Sequence, residues 1–534
     1  MLALGIGMNT AMFSAVKAVL LSALPYPEPE RIIELQQVAK DGHLMNVSGL
    51  DFRDWRTQSR TVEYMSAYGS DAVALSGSFA ARHARMAAVC SGFFEVVATE
   101  AAIGRTFTAD EQKPGGTPTL VLGYELAGAV FGAPAQAIRK SVRLNGMVFT
   151  VIGVMPPKFD FPDSSQVWLP NDFFPDESAR SAHNYRVVGR LRRGATVKQA
   201  QSDMNIVAAR LAKAYIEDRD EGIRVTSLYE SLVSGVRPAL LVLLGAVALV
   251  LLIACINISN LQLARAAVRR REMGLRCALG AARGRLIRQL LTESVLLAGA
   301  GGVFGLTFAA FGVRVLRIDA PANIPRIGNL GIDSGVLCFT AGLSLLVGIL
   351  FGVLPSLESS KADVNDALKQ GTGKGASVPH KRWSQMLVAG QTALAITLLS
   401  GAALLMKSYW KLAHVETGLA TGGVYVTDLT WPAAADGNSA DGAYVSRTGT
   451  QMLEQIKHLP GVEASAFVRE LPFQGAPDGN FEIEGRPLPA DPHLNPDAFY
   501  RMATPDYFEP SAFPFSKAVR SERTISRPRS KWQL

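Results

Sequence analysis

The chain has 534 residues, more than one ordinary domain holds. Hydrophobic residues make up 48% and charged residues 19%, a balance that suits membrane spans joined to water-exposed domains better than a plain soluble enzyme. The net charge is +8, but much of it lies beside apolar runs, where the positive-inside rule places it, so nucleic-acid binding is not the first reading of the basic pI.

Met1–Pro27 is apolar and broken only by Lys17. No basic residue precedes the apolar stretch, so it reads as a first span with an abrupt start rather than a signal peptide, and the true start is expected upstream. Lys17 should face other helices or snorkel.

Residues 28–237 are long enough to bury a core of their own and read as mixed α/β. Arg31–Gln37 and Tyr185–Leu191 look like strands. Val142–Val154 (VRLNGMVFTVIGV) reads as a hairpin turning at Asn145-Gly146, because both positions tolerate positive φ. Thr196 and Gln199 form a capping-box pair, and Ala200, Met204, Val207 and Leu211 make one apolar stripe, read as core. Asn46-Val47-Ser48 fits a weak glycosylation pattern. Asp160, Asp163 and Asp172 lie near one another in a proline-rich stretch and read as a solvated loop.

Four uncharged runs then reach the roughly 20 residues a bilayer-crossing helix needs. They are Pro238–Ala264, Ser294–Val313, Ser334–Leu357 and Trp383–Met406. The segment 265–293 carries eight arginines, and 358–382 carries Lys361, Lys369, Lys374, Lys381 and Arg382. The connector 314–333 carries only three basic residues. The two richer segments are therefore expected in the cytoplasm, with 28–237 and the chain beyond Lys407 outside it. Gly301 and Gly305, like Gly348 and Gly352, make GxxxG steps and read as helix-packing positions.

Catalytic chemistry finds little support. The seven histidines form no HExxH pair, and there is no GxSxG elbow. Gly371–Gly375 (GTGKG) resembles a phosphate loop only superficially, since position 368 is Leu and position 375 is Gly. The four cysteines, Cys90, Cys255, Cys277 and Cys338, fit no zinc spacing, and Cys255 and Cys338 fall inside apolar runs. No catalytic residue, metal site or cofactor is expected, and the chain reads as no enzyme.

The segment 265–293 is not merely basic. Leu275, Leu279, Ala282 and Leu286 lie at helical spacing and can form one apolar face, for which a solvated loop has no use. Gly280 can break the helix so that the next part lies across the membrane surface.

The chain resembles permeases of the MacB/FtsX-like ABC transporter family in the duplicated form. The stretch that carries this most specifically is LLIACINISNLQLARAAVRRREMGLRCALGAARGRLIRQLLTESVLL, 251–297. PYPEPERI at 25–32, VIGVMPPKF at 151–159 and LLSGAALLMKSYWKL at 398–412 add to it. The resemblance implies an α-helical membrane protein with inserted α/β extracytoplasmic domains of the MacB-like periplasmic core type. It implies a multi-pass protein of the bacterial cytoplasmic (inner) membrane, working with an ABC ATPase subunit on the cytoplasmic side and a periplasmic adaptor. Glu272, Leu275, Arg276, Leu279, Gly280 and Arg283 are the residues expected at the ATPase-coupling interface. The function implied is transmission of ATP-driven force to the outer domain, with export or expulsion of substrate. The alternative is a non-transporting regulator of the FtsX type, whose outer domain binds a partner.

The resulting layout has a span at 1–27, the outer domain at 28–237 and a three-span permease region at 238–357. A cytoplasmic linker at 358–382, a fifth span at 383–406 and a partial second outer domain at 407–509 follow. SGFFEVVATEAAIGRTFTADE at 91–111 lines up with TPDYFEPSAFPFSKAVRSER at 504–523 through Phe508-Glu509 and then diverges. The basic tail, 510–534, is read as a frame shift that truncates the duplicate rather than as a lipid- or nucleic-acid-binding tail.

Overall fold

A computed structural model of the chain describes all residues except 145–146, 174–179, 181, 279–282, 320–329, 361–377, 416–422, 428, 430–441, 470, 472–477, 482, 484, 488–496, 500 and 509–534. It forms two compact units, one of Met1–Ala23 with Leu232–Val415, the other of Leu24–Ser231 with Glu416–Leu534. The outer domain thus begins and ends a few residues earlier than the 28–237 read from the sequence.

The second unit is built on an eleven-stranded mixed sheet. Its strands are β1 (Ile32–Val38), β2 (Leu44–Met45), β3 (Val62–Ser76), β4 (Arg82–Val89), β5 (Ile103–Gly104) and β6 (Thr119–Leu122). They continue with β7 (Ser141–Leu144), β8 (Met147–Val154), β9 (Val167–Pro170), β10 (Arg186–Leu191) and β11 (Gly222–Ser227). The main path runs β11-β1-β10-β3-β4-β9-β6-β8-β5, with β2 beside β1 and β7 bridging β3 and β8.

The 15-residue β3 organises this sheet. Its first half, Val62–Tyr68, pairs with β10, and Tyr68–Leu75 pairs with β4, so one strand serves two cores. The first core packs Ile33, Leu35, Phe52, Trp55 and Val187 against the Ala200, Met204, Val207 and Leu211 stripe. That stripe lies on a helix, Val197–Ala214, opened by the Thr196–Gln199 capping box. The second core packs Leu120, Leu122, Val142, Phe149, Val151 and Val167. The hairpin register places Leu144 opposite Met147, a two-residue connection, while the turn residues Asn145 and Gly146 lie outside the described residues.

Two stretches that carry the family resemblance meet here. Tyr26, from PYPEPERI, stands edge-on to Phe159, the last residue of VIGVMPPKF, at 6.3 Å and to Phe161 just beyond it at 6.0 Å. Phe161 stacks on Phe93 at 5.7 Å and meets Tyr68 at 5.8 Å. Within the same motif Gly153 is required by close approach, since a Cβ there would stand 2.1 Å from the Arg105 carbonyl oxygen. Ser48 of the Asn46-Val47-Ser48 pattern is buried as an N-cap, accepting from the Asp51 N–H at 3.0 Å.

Between Glu416 and Leu534 the described elements are one helix, Gly442–Lys457, and an antiparallel pair, Asp478–Asn480 with Asp497–Phe499. Pro505–Phe508, which the internal repeat matches to Ser91–Phe94, forms a 3₁₀ turn, and the first copy opens a short α-helix at Phe93. The divergent tail lies outside the described residues.

The first unit is a bundle of long helices. We label them α1 (Leu2–Val16), α2 (Arg237–Ala278), α3 (Arg283–Asp319), α4 (Ser334–Ser360) and α5 (Val378–Ala413). Four segments are long and apolar enough to cross a membrane: Leu2–Leu21, Arg237–Gln262, Leu291–Leu316 and Gln385–Ala413. A shorter apolar stretch, Ser334–Leu350, opens α4, whose 27 residues extend about 40 Å at 1.5 Å per residue.

Candidate coupling segment and helix bundle

The segment 265–293 is not a separate loop between spans. α2 runs unbroken for 42 residues, from Arg237 to Ala278, and α3 opens at Arg283. The physical reason lies in composition. Of the residues 265–278, eleven are Ala, Arg, Leu, Met or Glu, all good helix formers, and only Val268, Gly274 and Cys277 oppose them. At 1.5 Å per residue α2 is about 63 Å long, roughly twice the bilayer hydrocarbon core, so its end must project well beyond it.

Glu272, Leu275 and Arg276 therefore sit on the last turns of α2, and Arg283 is the first residue of α3. Leu279 and Gly280 lie outside the described residues, as does Ala282. The single apolar face expected from Leu275 to Leu286 is divided, with Leu275 on α2 and Leu286 on α3.

Behind this segment the bundle is held by close backbone approach. A Cβ on Gly7 would stand 2.7 Å from the Gly305 carbonyl oxygen, and one on Gly301 would stand 2.9 Å from the Leu2 Cβ. A Cβ on Gly348 would stand 2.9 Å from the Val295 Cα. Small residues thus let α1 lie against α3, and α4 against α3, at backbone distance. Gly352 sits on α4 one turn beyond Gly348.

The bundle also buries polar side chains that periodicity did not single out. The Asn9 amide donates to the Gly5 carbonyl at 2.8 Å and to the Val247 carbonyl on α2 at 3.0 Å. Thr10, Ser14 and Ser344 are buried as well. Only the i, i+4, i+7 spacing of Thr10, Ser14 and Lys17 in an apolar run could have flagged one such face beforehand.

In the other unit the strongest electrostatic feature surrounds Arg180. Its guanidinium bonds Asp51 and Asp54, lies 3.4 Å from Asp218, and stacks over the Tyr215 ring at 3.4 Å. Burial, then the Asp51 charge, pushes the Asp218 carboxyl up to about 7, and burial, then the Asp218 charge, pushes Glu221 up to about 7. Burial likewise raises Glu34, against the pull of Arg186, which pairs with it at 3.2 Å. Asp163 pairs with Arg186 at 3.0 Å, whereas Asp172 accepts from the Ser91 N–H at 2.9 Å, so these two aspartates have separate partners. Among the described residues no group of three or more His, Cys, Asp or Glu is placed to hold a metal ion.

A model of the MacB-like periplasmic core domain matches residues 1–207, and one of the FtsX-like permease C-terminal region matches residues 244–364. The macrolide export ATP-binding/permease protein MacB of Neisseria gonorrhoeae is 25% identical over 285 residues, covering 52% of this chain and 42% of that protein. The uncharacterized ABC transporter permease YvrN of Bacillus subtilis is 29% identical over 248 residues, covering 44% of this chain and 58% of that protein. The chain therefore spans about half the length of these relatives. Among solved structures, the periplasmic region of MacB from Actinobacillus actinomycetemcomitans is 14% identical with a TM-score of 0.31, covering 42% of this chain and 97% of that one. With one family model on the first span and most of the outer domain and the other on the spans that follow, the chain belongs to the MacB/FtsX-like ABC transporter permeases.

Proposed function

We propose that the chain is a permease that carries force from an ABC ATPase on the cytoplasmic side of the bacterial inner membrane to its outer domain, driving export or expulsion of substrate there. The observation that carries this reading is the unbroken α2. A single 42-residue helix leads from the outer domain's last strand and short helix to the arginine-rich cytoplasmic end. A continuous helix transmits a push at one end with little loss, because every turn is braced by its own hydrogen bonds.

In this reading Glu272, Leu275, Arg276, Leu279, Gly280 and Arg283 meet the ATPase. The leucines supply apolar contact, and the charged residues fix register and keep the segment cytoplasmic. The chain supplies no hydrolytic chemistry itself, and the lipid bilayer is its solvent over the spans. A periplasmic adaptor would meet the outer domain.

The test is capture of an ABC ATPase encoded beside this gene by the affinity-tagged full chain in detergent. The parent should retain it, and Leu275→Asp combined with Leu279→Asp should release it while membrane insertion and outer-domain protease resistance stay intact. Undiminished capture by the double variant would sink the docking assignment.

A further inference from the structure

Lys17 stands out in the first span as a cation in an otherwise apolar run, and the structure gives it a partner. Its Nζ lies 2.6 Å from the Asp333 carboxylate. The other Asp333 oxygen accepts from the Val336 N–H at 3.0 Å, so Asp333 also caps the first turn of α4. The pair is the outermost rung of a ladder. One turn below, Ser14 Oγ donates to the Gly331 carbonyl at 2.7 Å. One turn further, the Thr10 and Thr340 hydroxyls lie 3.0 Å apart. Residues 10, 14 and 17 share one face of α1, and beside them Phe13 stacks on Phe339 at 3.9 Å and 6°.

The backbone at the top rung is also unusual. Lys17–Leu21 is a π-helical turn, closed by the Ser22 N–H donating to the Lys17 carbonyl at 2.8 Å. Such wide turns are uncommon and recur at functional positions. Here the turn falls where the span hands over to the outer domain.

We propose that Lys17 and Asp333 are positioning residues whose ion pair clamps the outer end of α1 to the start of α4, so that the two helices move as one body. The outer end of the first span then follows α4 and cannot slide along it. Lys17 and Ser14 bond the residues that lead into α4, Asp333 and Gly331, and Thr10 bonds Thr340 on α4 itself, whereas Asn9 makes a single such bond to α2. This rests on the force-transmission reading for its purpose, but the clamp itself is measurable without an ATPase.

The experiment uses the full chain, with its four cysteines changed to alanine, in vesicles of phosphatidylethanolamine and phosphatidylglycerol. Thr10→Cys with Thr340→Cys reports the ladder by oxidative cross-linking, since the parent hydroxyls already lie within disulfide reach. Cross-linking should be fast in this chain, slow several-fold on adding Lys17→Asp or Asp333→Lys, and recover in part when both are present, since a lysine at 333 restores the pair but not the cap on α4. Equal rates in all four chains overturn the proposal, and so does a double exchange that stays slow. Lys17→Met, which keeps the apolar stem, should slow cross-linking without loss of insertion and guards against misfolding of the charge reversals.

With the captured ATPase added, the cross-linked chain should keep the nucleotide-stimulated turnover of its reduced form. Turnover lost on oxidation and regained on reduction overturns one-body motion. A reduced chain that never stimulates turnover counts against the permease reading instead, and the cross-linking rates still decide the clamp.

Discussion

The two compact units are built inside-out relative to one another. In the strand-rich unit Ile33, Leu35, Trp55 and Trp168 are buried, and the charged side chains that are buried with them, such as Glu34 and Asp51, are paired with arginines. In the bundle Leu296, Val303, Phe304, Phe308 and Phe311 of α3 are exposed, and Asn9, Thr10, Ser14, Thr340 and Ser344 are buried. Water drives the first arrangement, because apolar area is removed from it. In lipid that drive is missing between helices, so close packing of small residues and interhelical hydrogen bonds hold the bundle. The same contrast exists between helices, since over half of the α1 span is buried and none of the α5 span is. The polarity of what a helix hides identifies its solvent and its place in the bundle.

The comparison breaks most severely at the strand-rich core. Trp55→Ala empties a fully buried site and should cost about 3–5 kcal/mol, read by thermal unfolding of the outer domain or by its protease resistance. A cost below about 1 kcal/mol would show that this core is not a water-driven one.

In the bundle the largest effect should come from adding, not removing, volume. Gly7→Ala places a methyl 2.7 Å from the Gly305 carbonyl oxygen and should loosen α1 from α3, with a cost of about 1–3 kcal/mol in thermal unfolding in detergent. Gly245→Ala, where nothing lies within 4 Å, is the matched control and should be neutral.

Electrostatics should sharpen the contrast next. Asp218 and Glu221 are pushed up to about 7, so the folded unit holds protons that the unfolded chain has released. Their contribution favours the fold at acid pH and is lost as pH rises toward 7. Asp218→Asn should therefore gain stability relative to the parent as pH rises from about 4 to 7, reaching about 1–2 kcal/mol. A parallel pair of stability–pH curves would refute the assignment. The smallest effect is local: Thr196→Ala breaks a reciprocal capping box and should cost about 1 kcal/mol in thermal unfolding of the outer domain.

Much of the outer domain was legible in the sequence because its signals are short-range. The capping box, the Ala200–Leu211 stripe and the two-residue hairpin connection each depend on residues a few positions apart. The register of β3 was not legible. Which of its halves pairs with β10 and which with β4 depends on two later strands, one more than a hundred residues further along the chain and the other only six. In the candidate coupling site, the arginines and leucines could be named but not apportioned. The segment 265–293 read as a helix behind a span, broken at Gly280, whereas its two described parts are the ends of two long helices that carry the spans with them. Helix propensity continues through 265–278 and has no marker for the bilayer surface.

The sequence by itself determined the spans, their flanking charge, the mixed α/β outer domain and the family, since length, polarity and local spacing carry all four. Only the tertiary structure decided what Lys17 is for, which glycines touch backbone, and that Arg180 gathers Asp51, Asp54 and Asp218. These depend on partners up to 316 residues apart, and no periodicity records a contact between segments that meet only once the chain has folded.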